Sequence, residues 1–173
     1  GSGPPPAGQG SLALLPVLHA SIDAGARDTL IHEATHQLAF NLGLHSRLAE
    51  TPRWITEGVA MLLEEDARRD DTGGRPPAER LNRPRYIWFR NYLKQRRPAK
   101  SLVPLLERDE PLPASPLDFY SEAWALSFYL AETRPYEYVR YLRTVAARKP
   151  LAPYPPEERL ADFQAAFGRD LDH

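Results

Sequence analysis

Residues 29–40 read TLIHEATHQLAF. His32 and His36 stand four apart, and Glu33 directly follows the first. On a helix, residues four apart lie above one another on one face, so both imidazoles aim at one point. Neutral imidazole nitrogens bind zinc at about 2.0–2.1 Å, a reach this pairing suits. Glu33 falls about a third of a turn from His32, beside a metal rather than on it. A carboxylate there takes a proton from water whose pKa the metal lowers to about 7. HExxH is the established form of this arrangement.

A catalytic zinc keeps three protein ligands and an open fourth position, so a third ligand is required. The pattern HExxHxxGxxH would supply a histidine. Here Ala39 and Leu42 stand at its glycine and histidine positions, and His45 is out of register. The alternative is a glutamate on the next helix. Glu57 lies in PRWITEGVAMLLEE, after a loop over 43–51 that lets the chain reverse. Glu50 precedes that helix, Glu64 stands two turns beyond Glu57, and Glu65 is a further competitor. Glu57 is the best placed of the four.

The rest of the chain sets limits. Its 173 residues fit one domain, with 42% hydrophobic and 26% charged content. Residues 1–11 read as a tag or linker remnant and 12–173 as the domain. The formal net charge of -1 gives no overall field for nucleic acid or membrane. With no cysteine, disulfides and thiolate metal sites are excluded, so a metal must be held by His, Asp or Glu. No apolar run reaches transmembrane length.

Periodicity and punctuation predict a mainly α chain. Helices are expected over about 24–42, 51–67, 84–97, 102–108, 116–132, 135–148 and 156–167, with Gly43 and Gly168 as stops. Asp23 or Asp28 is expected to cap the first, and Leu30, Ala34 and Leu38 to form its apolar face. Thr51 and Pro52 are expected to open the second. Residues 12–21 are the one strand candidate. Residues 80–100 carry eight basic and no acidic side chains, interleaved with Tyr86, Trp88, Phe89 and Tyr92. They are read as a helix with a solvated basic face and Tyr86, Phe89 and Leu93 buried, not as a nucleic-acid surface. Trp54 and Trp124 are expected in the core or cleft wall, and His19, His45 and His173 to be incidental.

HEATHQLAFNLGL, then PRWITEGVA, then YSEAWALSFYL together resemble a bacterial family of the peptidase MA-like superfamily, the gluzincin metallopeptidases. The resemblance covers roughly 28–172 and keeps the three motifs in order. It implies a zincin-like helical domain with one Zn2+ per chain, held by His32, His36 and Glu57, and with Glu33 as general base. It also implies an oxyanion donor at Tyr120, four residues before Trp124. A phenol is a neutral donor suited to a developing oxyanion. The superfamily places a β-sheet before the HExxH helix; only 12–21 is available here, so the cleft is expected to be open. The partners implied are a peptide or protein substrate, with no nucleic acid and no membrane. The rival readings are hydrolysis of esters or small amides, and a non-catalytic binding module. A purely structural zinc is usually closed by four protein ligands.

Overall fold

The computed structural model describes residues 26–67, 76–109 and 115–171. Among them every regular element is helical. In chain order these are α1 (26–41), α2 (Arg53–Ala67), a 3-10 turn (Pro77–Glu79), α3 (Arg83–Gln95), α4 (Leu102–Glu107), α5 (Pro116–Thr133), α6 (Pro135–Ala146) and α7 (Pro156–Phe167). The strand candidate at 12–21, the remnant at 1–11, Asp23, His19 and His173 lie outside the described residues, as does the side chain of Glu65. No described helix is long and apolar enough to cross a membrane.

Helix α1 ends where expected. Gly43 takes φ of 69°, a left-handed conformation that costs glycine little. The Leu44 N–H then reaches back to the Ala39 carbonyl at 2.9 Å, closing the last turn. Asp28 lies inside the helix rather than capping it. The expected apolar face is overturned: Leu30 and Leu38 are 70% and 44% exposed, and Ala34 is exposed as well. The buried side carries Thr35 and Ala39, with His32 and His36 beside them. Small side chains let α2 approach closely there. The histidines also find their carboxylate partners on that side, which outweighs burial of two leucines.

Helices α2, α3 and α6 pack on α5, while α7 packs on α4 and α6. The core is aromatic: the Trp54 indole stacks on Tyr141 and meets Phe163 edge-on. Both Trp54 and Trp124 are buried in this core. The α2–α5 contact is the tightest. A Cβ built on Gly58 would lie 2.1 Å from Ser127 Oγ and 2.8 Å from the Ala123 carbonyl oxygen. Only glycine fits between the two backbones, and its neighbour Glu57 is thereby fixed in position.

The start of α2 differs from expectation. Thr51 does not cap it, and its buried Oγ1 has no hydrogen-bond partner among the described residues. The helix begins at Arg53, whose N–H is accepted by Asp109 Oδ1 at 2.8 Å. Asp109 also accepts from Arg159 of α7 at 2.8 Å, and the same guanidinium binds Glu50. Glu50 is therefore a structural anchor, not a metal ligand. A carboxylate with two charged oxygens serves a helix end and an arginine together, each through its own oxygen.

In α3 the buried face is shifted from the expected one. Asn82 caps the helix by accepting from the Arg85 N–H. Arg85, Phe89 and Tyr92 face inward, while Tyr86 and Leu93 are exposed. Buried carboxylates on α5 choose this face. The Trp88 indole N–H and the Arg96 guanidinium donate to Asp118 at 2.7 and 2.5 Å. Tyr92, Arg97 and Ser101 donate to Glu122 at 3.2, 2.8 and 2.6 Å. Burial opposes ionisation of Asp118, yet Arg96 and Trp88 hold its carboxyl below the usual range. Arg80 pairs with Glu132 in the same manner. Much of the basic run is thus spent neutralising the central helix.

Gly58→Ala is expected to lower the free energy of unfolding by at least about 2 kcal/mol, the cost of forcing a methyl into a packed contact. Urea denaturation followed by circular dichroism measures it. A change within about 0.5 kcal/mol, the scale of an ordinary surface substitution, would show that α2 and α5 separate freely.

Candidate metal centre

The first turns of α2 lie beside the middle of α1, and three donor atoms meet there. His32 Nε2 is 3.0 Å from His36 Nε2 and 3.4 Å from Glu57 Oε2, and His36 Nε2 is 4.0 Å from Glu57 Oε2. Donors sharing one tetrahedral zinc at about 2.0–2.1 Å stand roughly 3.4 Å apart. A triangle with the observed sides has a circumscribed radius of roughly 2 Å, so one point can lie within bonding distance of all three. No other group of three or more His, Asp or Glu among the described residues meets in this way. The donor set fits a single zinc with an open side.

Glu64 completes the geometry. It binds His32 Nδ1 from the far side of the ring. That contact leaves Nε2 to face Glu57, as an outer partner does when it fixes the tautomer of a ligating histidine. Glu64 stands seven positions beyond Glu57, two helical turns along the same face of α2. Its carboxylate stands behind His32, outside the group of three donors. His36 Nδ1 is buried and has no partner among the described residues. His45, expected to be incidental, is buried against Phe40 and His36 with ring centroids 5.5 and 6.5 Å away. Burial, then His36, pushes its imidazole down to about 4, so it is neutral at ordinary pH.

Electrostatics divide the ligands. Glu57 and then Glu64 push the His32 imidazole up to about 9. Burial and the nearby His32 lower His36. Burial opposes ionisation of Glu57, yet His32, His36 and Arg53 pull its carboxyl below the usual range. Without metal His32 is therefore the cationic member of the trio at ordinary pH.

The site opens into a cleft of about 690 Å³ lined by His32, Glu33, His36, Glu57, Glu64 and Tyr120, with Asn82 and Arg85 of α3 on its wall. Glu33 is exposed to this cleft beside the ligands. Tyr120 enters from the first turns of α5. Its hydroxyl oxygen accepts a hydrogen bond from Arg53 Nη2 at 2.9 Å. Guanidinium has no acceptor, so the phenolic proton is left to donate elsewhere. The structure thus brings together all five residues expected from sequence. Sequence reasoning missed Arg53 and the outer role of Glu64. The signal for Arg53 was its spacing, one turn before Glu57 on the same helix.

The pattern of the family described as "Protein of unknown function (DUF1570)" matches residues 27–152. The chain belongs to this family. The DUF1570 match runs from the start of α1 to just past α6, so it contains His32, Glu33, His36, Glu57 and Tyr120 and leaves out α7. No curated protein matches the chain, and no solved structure does.

A metal can bind His32 only in place of its proton. The raised imidazole therefore makes zinc affinity climb with pH up to about 9 and level off above it. Zinc uptake at pH 7.5 is expected to release about one proton per ion. Calorimetry in two buffers of different protonation enthalpy counts it; release near zero would remove His32 from the ligand set or its partners from their role.

Proposed function

We propose that this protein is a zinc-dependent metallopeptidase of the gluzincin type, related in its active-site plan to the peptidase MA-like superfamily. The observation that carries the reading is the meeting of His32, His36 and Glu57 donors beside Glu33, in a cleft that also holds a tyrosine with a free phenolic proton. His32, His36 and Glu57 hold the ion. When bound, zinc polarises a carbonyl and acidifies water.

This chain's own residues supply the rest. Glu33, next to the ligands, takes the proton of the attacking water and hands it to the leaving amine, so one carboxylate serves first as base and then as acid. Tyr120 donates to the scissile carbonyl oxygen as negative charge grows there. Arg53, bonded to the far side of the phenol oxygen, keeps that proton directed away from itself. A donor fixed before the reaction costs no reorganisation during it. The substrate is a peptide or protein.

Glu33→Gln is expected to retain one zinc per chain while losing at least roughly a hundredfold in hydrolysis, the scale for removing a general base. Elemental analysis and a peptide-library digest test both halves. Wild-type protein that takes up less than about a tenth of an equivalent of zinc would sink the reading, because an efficient site saturates at one. So would a Glu33→Gln protein as active as wild type.

Tyr120→Phe keeps the ring and its packing but removes the hydroxyl. Its turnover is expected to fall by roughly ten- to a thousandfold with KM little changed, since the bond strengthens mainly in the transition state. An unchanged kcat would reduce Tyr120 to a wall residue.

A further inference from the structure

Arg85 stands apart from the other basic residues of its segment. Arg80, Arg96 and Arg97 are paired with Glu132, Asp118 and Glu122. Arg83, Arg90 and Lys94 are exposed. Of the segment's basic residues Arg85 alone lines the cleft, half-buried, with its guanidinium 5.6 Å from the centre of the Tyr120 ring. Among the described residues no carboxylate pairs with it. The nearby arginine, Arg53, is by contrast committed to Tyr120 and to the Asp109 carbonyl. A charge partly withdrawn from water is stabilised by a partner, and the cleft beside Arg85 leaves room for one.

Resting on the hydrolase reading above, we infer that Arg85 recognises a substrate carboxylate on a residue flanking the scissile bond. The planar guanidinium presents a fork of donors that fits a carboxylate through two parallel bonds. The cleft's own carboxylates, Asp28, Glu33, Glu57 and Glu64, come from α1 and α2. Arg85 enters from the start of α3, where Asn82 and Pro84 bring the positive end of the helix to the same wall. The site is therefore polarised, acidic where the ion and water belong and basic across the Tyr120 ring. A peptide with its scissile carbonyl at the Tyr120 hydroxyl places the neighbouring residue over that ring, within reach of Arg85. The carboxylate is that of an aspartate or glutamate side chain, or of a free C-terminus.

Binding of uncleavable peptides to the zinc-loaded protein tests this. Three short peptides carry a ketomethylene group in place of the central amide. One has a glutamate beside it and an amidated C-terminus. The second has glutamine there and a free C-terminus one residue on. The third has glutamine and an amidated end. Calorimetry is expected to show at least one of the first two binding roughly tenfold or more tighter than the third, with the stronger of them naming the source of the carboxylate. Arg85→Gln is expected to erase the difference, and Arg85→Glu to reverse it toward a lysine-bearing peptide. Arg85 is partly exposed and its side chain makes no ion pair among the described residues, so both variants should fold, which circular dichroism checks. Equal binding of all three peptides, no binding of any, or a preference that survives in Arg85→Gln overturns the inference. Cleavage of ordinary amide versions is scored separately. Cleavage without carboxylate preference leaves the peptidase reading standing alone; Arg85-dependent binding without cleavage leaves the recognition standing alone.

Discussion

The contact on which everything else rests is the approach of α2 to α5 at Gly58. Two helix backbones come so close there that Ser127 and the Ala123 carbonyl fill the space of a side chain. Glu57 precedes Gly58, so the separation of α2 from α5 sets where its carboxylate points. Tyr120 lies near the start of α5, so the same contact also sets the distance from the phenol to Glu57. One hydrogen atom in place of a methyl thus aligns the candidate third ligand with the candidate oxyanion donor.

A second layer of order comes from polar groups in the core. Asp118 and Glu122 are buried on α5, and each is satisfied by several donors from α3 and the turn after it. A buried carboxylate that lost these donors would be costly, so α3 has one acceptable rotation on α5. That rotation carries Asn82 and Arg85 to the cleft. Hydrophobic contacts alone would tolerate other rotations, because aromatic side chains lie on several sides of α3.

Much of this was legible in the sequence, and for identifiable reasons. Prolines and glycines marked the helix ends well: α7 and its Gly168 stop were read as found. HExxH with a glutamate on the next helix sufficed to bring His32, His36 and Glu57 together, since both spacings follow from helix geometry. Where the reading failed, a partner distant in sequence had intervened. The leucines of α1 looked like a core face because periodicity cannot see that Glu57 and Glu64 pull the opposite side inward. The α3 face was misplaced because Asp118 and Glu122 lie on another helix. Thr51 looked like a cap because Asp109 was invisible to a local rule. Arg53 could not be recognised as a partner of Tyr120, since 67 residues separate them.

The anchoring of α2 by Asp109 and Arg159 also bears on the order in which the chain can become competent. Both histidines and Glu57 precede Asp109 and α7 in the chain and leave the ribosome before them. Yet the turn that carries Glu57 is fixed by a carboxylate over 50 residues later, and that carboxylate is held by an arginine on the last helix. Contacts this distant in sequence form late, after the loop between them has closed. A nascent chain therefore exposes its two histidines well before it can bring Glu57 into register, and the candidate centre is complete only when α7 docks.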